Sequence, residues 1–231
     1  MLTLDGLRLE QDGFTLSGDL VIPSGSRVAI VGPSGAGKST LLNGIAGFIE
    51  PAAGRIVWDG LDLAGITPGA RPVSILFQDN NLFPHLTIWQ NTALGISTNL
   101  RLSDAQKEQV QAALERVGIA DLGARKPGAL SGGQQSRAAL ARVLLRGKSL
   151  VLLDEPFAAL GPALKAEMLA MVAELTAASG ATMLMVTHDP SDAIAIADQA
   201  VLVADGVASA PVETSVLFGD PPAALREYLG R

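Results

Sequence analysis

The chain has 231 residues, a formal charge of −6, 48% apolar residues, two histidines and no cysteine. That length accommodates one large α/β domain with an ample core; the absence of cysteine excludes disulfides and thiolate metal sites, and the acidic balance argues against a broad nucleic-acid surface, which needs cations to neutralise phosphates. No run approaches the roughly 18 consecutive apolar residues that cross a bilayer, and residues 1–10 lack the basic flank and apolar run of a secretory signal, so the chain is expected in the cytoplasm.

Leu2, Leu4, Leu7 and Leu9, then Phe14, Leu16, Leu20 and Ile22, read as strands of an antiparallel sheet, joined by residues 55–58 before the turn at Asp59 and Gly60. Arg27–Val31 differs: it is short and apolar, as expected of a parallel strand covered on both faces. It runs into Gly32, Pro33, Ser34, Gly35, Ala36, Gly37, Lys38, Ser39 and Thr40, followed by a helical stretch over residues 41–46. Strand, glycine loop and helix in that order form a phosphate cradle. Gly35 and Gly37 let the backbone bend so that successive N–H groups face a β-phosphate, and the helix dipole adds attraction. Lys38 then reaches the β- and γ-phosphates and Ser39 ligates Mg²⁺, which makes a nucleoside triphosphate and Mg²⁺ the expected cofactors.

Residues 73–77 form a second buried strand, ending at Gln78. The apolar patch that follows, Leu82, Phe83, Leu86, Ile88 and Trp89, reads either as a buried seam or as a docking face. Ser103 with Gln106 makes a capping box, Val110, Ala113, Leu114 and Val117 repeat at helical spacing, and Gly118 stops the helix. The region from about 80 to 147 thus reads as a helical insertion. Within it, Leu130, Ser131, Gly132, Gly133 and Gln134 precede a helix through Ala138, Leu140, Ala141 and Leu144. Ser131 caps that helix, and the paired glycines strip side chains from its mouth, giving a second anion site. Two phosphate-binding mouths in one chain make sense if the second faces a nucleotide held by another copy, since a two-fold dimer buries the same patches reciprocally.

Residues 150–153 form a strand that stops at Asp154 and Glu155, and residues 183–186 form one that stops at Thr187 and His188. Ligands gather at such carboxyl ends. Asp154 completes the Mg²⁺ shell opposite Ser39, and Glu155 is placed to polarise water; the alternative is an acid pair at a helix opened by Pro156. His188 alone would be structural, but it ends a core strand beside the proposed phosphates.

Together these motifs resemble those of ATP-binding cassette subunits: Walker A at residues 32–40, the Q-loop at Gln78, the signature at residues 130–134, Walker B at residues 151–154, the following Glu155 and the switch His188. The resemblance covers nearly the whole length. It implies an α/β P-loop NTPase with a RecA-like parallel core, an antiparallel β-subdomain and a helical subdomain, all in one domain over residues 1–231 with no C-terminal regulatory domain. It also implies that Glu155 is the general base, that His188 contacts the γ-phosphate, and that Gln78 senses Mg²⁺ and water. Implied partners are a second copy in a head-to-tail nucleotide sandwich, a transmembrane permease whose short helix docks near the apolar patch, and indirectly a periplasmic solute-binding protein, with no nucleic acid. The chain would be peripheral to the cytoplasmic face of the inner membrane.

Within the family, residues 72–87, 44–48, 156–160 and 184–187 resemble the ATP-binding subunits of thiamine importers, implying thiamine or its phosphates as cargo. Sulfate or molybdate, ferric iron and polyamines are the rival cargoes. Another class, a soluble ATPase acting on DNA, would split its head with a long coiled coil, and no heptad run of that length exists here; a small-molecule P-loop kinase would need an arginine-rich lid and no signature helix mouth, and a phosphorylated acceptor product would identify it. Two departures stand out. The place of the adenine-stacking aromatic holds Gln11, with Phe14 the nearest ring, and Gly161 replaces the acid that helps couple the two nucleotide sites.

Overall fold

The computed structural model describes residues 1–228. In chain order the elements are β1 (Leu2–Gln11), β2 (Phe14–Ile22), β3 (Arg27–Val31), α1 (Lys38–Ala46), β4 (Ala53–Trp58), β5 (Leu61–Asp62), β6 (Val73–Leu76), α2 (Ile88–Ala93), α3 (Asp104–Arg116) and α4 (Gly132–Leu145). There follow β7 (Leu150–Asp154), α5 (Pro162–Ser179), β8 (Thr182–Val186), α6 (Pro190–Ile196), β9 (Gln199–Ala204), β10 (Val207–Ala208), β11 (Val212–Glu213), α7 (Thr214–Gly219) and α8 (Ala223–Tyr228). Among the described residues no helix is long and apolar enough to cross a membrane.

The expected antiparallel and parallel strands both form, and they join into one continuous sheet ordered β5-β4-β1-β2-β10-β9-β3-β8-β7-β6. The short β10 is the seam, pairing parallel with β2 and antiparallel with β9. In β1 the register with β2 shifts between Leu4 and Leu7. An extra residue in the strand restores the inward phase, which is why Leu2, Leu4, Leu7 and Leu9 are all buried despite their uneven spacing.

The parallel strands lack hydrophobic alternation because both faces are covered. Val28 and Ile30 of β3 enter a core shared with α1 and the antiparallel strands, whereas Ala29 and Val31 enter a second core with α5 and α6. A third core lies among α2, α3 and α4, around Ile88, Val110, Leu114 and Val117. The capping box at Ser103 and Gln106 is present, and Gly118 takes a left-handed φ of 69° at the helix end. Helix α4 serves two cores, giving Leu140 and Val143 to one and Ala138 and Ala141 to the other.

The apolar patch after β6 divides. Ile88 is fully buried, and Leu82 and Trp89 pack against the helical core, while Phe83 is exposed. Phe83 joins Phe48, Phe77, Leu94 and Arg146 in lining a groove of about 480 Å³ between the helical region and the sheet.

Arg71 is a core residue that hydrophobic patterning does not reveal. It is 1% exposed. Its guanidinium donates from Nη1 to the carbonyls of Gly44 and Ile45, each at 2.9 Å, and from Nε to that of Ile66 at 2.9 Å. The cation thus satisfies carbonyls at the C-terminal end of α1, where the helix dipole favours positive charge, and so fixes the helix that carries the glycine loop. Replacing Arg71 by Met leaves these carbonyls without their donor; the expected cost is about 2–4 kcal/mol, read as a lower denaturation midpoint in urea with an unchanged slope.

Candidate active site

The glycine loop crosses the carboxyl end of β3 and opens into α1, whose N-cap, Gly37, supplies no side-chain cap. The N–H groups of the first helical turn therefore point outward as an anion site. Gly37 has φ 102°, and a Cβ there would lie 2.7 Å from the Phe14 ring, so both backbone and packing demand glycine. Lys38 is buried, with Nζ donating to the carbonyls of Gly32 at 2.9 Å and Pro33 at 2.8 Å. Burial lowers its pKa, opposed by the charges of Glu155 and Asp154. The loop faces a cavity of about 500 Å³, to which Gln11, Phe14, Ser34, Lys38, Thr40 and Glu155 contribute. Both residues of the departed aromatic position, Gln11 and Phe14, thus stand at the cavity wall, paired across the β1–β2 hairpin.

Ser39 Oγ donates to Asp154 Oδ1 at 3.1 Å. A hydroxyl and a carboxylate at this separation are hard oxygen donors suited to Mg²⁺, which takes few protein ligands and completes its shell with water and phosphate oxygens. Burial raises the Asp154 pKa, the Ser39 hydrogen bond lowers it, and the Glu155 charge raises it further. A bound cation would reverse that penalty.

Glu155 follows β7 with φ 44°, a left-handed conformation that non-glycine residues rarely adopt. Its amide donates to the carbonyl of Val186 at 3.1 Å, and its side chain turns to His188, with Nδ1 3.2 Å from Oε2. The strand ends thus bring together the sequence-derived pair Ser39 and Asp154, and add a contact between Glu155 and His188 that sequence did not indicate. Local strain of this kind persists where surrounding structure over-determines it.

Gln78 lies elsewhere. It is exposed beyond the end of β6, outside the lining of the cavity that Glu155 shares with the loop. The turn after it is fixed by Arg142 of α4, which donates to the carbonyls of Asn80 and Asn81 at 2.8 Å each, while Asn80 and Asn81 hold positive φ values of 60° and 45°. Reasoning from sequence missed Arg142; the available signal was a lone cation on an apolar stretch of α4.

At the mouth of α4, Ser131, Gly132, Gly133 and Gln134 line no part of the 500 Å³ cavity. Ser131 caps α4 as expected, and Gln134 completes a capping box by accepting from the Ser131 amide at 3.0 Å. The paired glycines differ in purpose. A Cβ on Gly132 meets nothing within 4 Å, which leaves the mouth open, whereas a Cβ on Gly133 would come within 2.2 Å of Leu164 Cδ2. Gly133 thus packs against Leu164 of α5, which would have to turn aside for a larger residue. Gly161 is the uncapped N-cap of α5, with φ −65° and no atom within 4 Å of a Cβ built there; neither strain nor crowding demands glycine at this point.

Comparison with known proteins agrees with this geometry. A family profile described as ABC transporter matches residues 17–158. The thiamine import ATP-binding protein ThiQ of Cereibacter sphaeroides is 62% identical over 230 residues, covering 100% of each chain. The protein of the same name from Ruegeria sp. is 56% identical over 230 residues, again with 100% of each chain covered. Among solved structures, cbiO1 of Clostridium perfringens, described as part of the ABC transporter complex cbiONQ, matches with a TM-score of 0.84 at 30% identity over 95% of this chain and 90% of its own. The dimeric ATP-binding cassette MJ0796 bound to ADP and Pi matches with a TM-score of 0.80 at 26% identity, over 93% of this chain and 99% of its own.

The half-buried Asp154 carboxylate gives a stability prediction. Its folded pKa lies above its unfolded one, so stability falls as pH rises through that window and stays reduced at neutral pH. In the absence of nucleotide and Mg²⁺, Asp154→Asn should therefore raise the melting temperature measured at pH 7. The gain should shrink as the pH is lowered towards the carboxyl pKa.

Proposed function

This chain belongs to the ABC transporter family, and from that premise we propose that it is the ATP-hydrolysing subunit of a membrane importer for thiamine or a thiamine phosphate. The juxtaposition of Ser39 with Asp154 and of Glu155 with His188 beside the glycine loop carries the hydrolytic reading. The thiamine reading is supported by full-length identity of 62% to a protein named for thiamine import.

Residues 32–40 cradle the triphosphate, with Lys38 swinging from the loop carbonyls to the β- and γ-phosphates. Ser39 and Asp154 would hold Mg²⁺, with Gln78 reaching towards it from its loop, and the metal when bound would neutralise phosphate charge. Glu155 accepts a proton from water as its oxygen attacks the γ-phosphorus and the bond to the β–γ bridging oxygen breaks, yielding ADP and phosphate. His188 orients that carboxylate and contacts the γ-phosphate. Ser131, Gly132, Gly133 and Gln134 meet the nucleotide held by a second copy, so each site is assembled from two chains.

The whole chain works as one ATPase unit in which residues 80–147 form an inserted helical arm. The groove around Phe48, Phe77 and Phe83 receives a short amphipathic helix of the permease. Arg142 ties this groove's wall to the loop following Gln78, so closure of two copies around ATP and movement of the permease are linked, and hydrolysis reopens them. The subunit sits peripherally on the cytoplasmic face of the inner membrane, with a periplasmic solute-binding protein delivering cargo on the other side and no nucleic acid involved.

Glu155→Gln should retain ATP affinity, lose hydrolysis by about 100-fold or more, and accumulate an ATP-bound dimer on size exclusion; hydrolysis at the wild-type rate would refute the assignment of the base. Vesicles reconstituted with the native permease and solute-binding protein should take up labelled thiamine on ATP addition. Uptake of sulfate or ferric iron instead would reassign the cargo, and recovery of the chain with DNA rather than a permease would favour a soluble DNA-acting ATPase.

A further inference from the structure

Lys165 lies on the first turn of α5, and its ammonium bridges the segment around His188: Nζ is 2.5 Å from Asp189 Oδ2 and 2.8 Å from Asp192 Oδ1. The remaining oxygens of both acids are used as well. Asp189 Oδ1 accepts from the Ser191 amide at 2.9 Å and hydroxyl at 2.6 Å, and Asp192 Oδ2 accepts from Thr187 Oγ1 at 3.2 Å. Thr187 and Asp189 flank His188 directly, so Lys165 grips the histidine's backbone from both sides.

We propose that Lys165 is a positioning residue for hydrolysis, holding His188 against Glu155 through Asp189 and Asp192. This rests on the hydrolytic reading of Glu155 and His188. The contacts form a closed ring. Glu155 begins the short segment that ends at Gly161, the Lys165 amide donates to the Gly161 carbonyl at 2.9 Å, the Lys165 side chain reaches Asp189, and His188 returns to Glu155. Glu155, Lys165, Thr187, His188 and Asp192 all line one small cavity of about 30 Å³.

The placement of this lysine is hard to explain as helix stabilisation. A cation on the first turn faces the positive end of the helix dipole, and α5 has neither a side-chain cap nor an acid in that turn to offset it. The two carboxylates provide the offset, with Lys165, Asp189 and Asp192 side chains 20%, 32% and 13% exposed. The hydrogen bond from Lys165 leads the causes that lower the Asp189 pKa to about 2, and the bonds to both acids raise that of Lys165. The Lys165–Asp189 pair is thus held in its charged form.

ATP hydrolysis by the full-length chain tests this, using Lys165→Met, Lys165→Arg, His188→Ala and the double variant Lys165→Met/His188→Ala. Lys165→Met should lower kcat by about 10- to 100-fold while KM for ATP stays within about 2-fold, and Lys165→Arg, which can also bridge two carboxylates, should recover most of the loss. In the His188→Ala background, Lys165→Met should change residual single-turnover hydrolysis by less than about 2-fold, because its effect passes through that histidine. An unchanged kcat in Lys165→Met, or the same fold-loss in both backgrounds, would overturn the proposal while leaving the roles of Glu155 and His188 standing. Full activity in His188→Ala would instead remove the hydrolytic role on which it rests. If Lys165→Met does not fold, Asp192→Asn removes one ion pair and is read by the same criteria.

Discussion

The register of three parallel strands controls this molecule. Val186 of β8 lies opposite Ile30 of β3 on one side and Asp154 of β7 on the other, so the three strands end level with one another. Backbone bonds extend that alignment past the strand ends, from the Glu155 amide to the Val186 carbonyl at 3.1 Å and from the Thr187 amide to the Ile30 carbonyl at 3.2 Å. Because side chains alternate across a strand, a slip of one residue would turn Asp154 away from Ser39 and His188 away from Glu155. The left-handed turn at Glu155 completes the arrangement. It lets consecutive carboxylates serve different neighbours, Asp154 the helix that carries Ser39 and Glu155 the loop that carries His188.

The mouth of α4 lines no part of the cavity at the glycine loop. Helix α5 connects the two regions. Leu164 packs on Gly133 at the start of α4, and the next residue, Lys165, pairs with the acids beside His188. One helical turn therefore touches both the surface proposed to face a second copy and the residues beside the proposed hydrolytic pair. Gly161, just before that turn, leaves the segment from Glu155 to α5 without a side-chain cap, which places more weight on Lys165 to locate it.

Sequence patterning revealed the parts of this design that depend on local spacing. The glycine loop, the capping boxes at Ser103 and Ser131 and the apolar strands running into polar ends each have a short-range physical cause, and each occurs where spacing puts it. What depends on tertiary approach was not legible. Arg71 and Arg142 look like surface cations in a linear reading, yet they satisfy carbonyls contributed by distant or looped segments. The two glycines after Ser131 look equivalent in sequence, but only Gly133 meets α5. The patch from Leu82 to Trp89 read as seam or docking face because hydrophobicity alone does not say which side of a short helix turns inward; the structure sends Ile88 in and leaves Phe83 out.

The central claim is that the loop at residues 32–40 and the mouth at residues 131–134 complete one another between copies rather than within a chain. The chain has no cysteine, so a single thiol can be placed at each of two exposed positions, Ser34→Cys in one preparation and Gly132→Cys in another, both carrying Glu155→Gln. Mixed with ATP and treated with a short thiol-reactive bis-maleimide, the two preparations should yield a covalent dimer that neither gives alone and that disappears without nucleotide. Absence of a cross-linked dimer in the mixture, or cross-linking only within a doubly substituted single chain, would contradict the account.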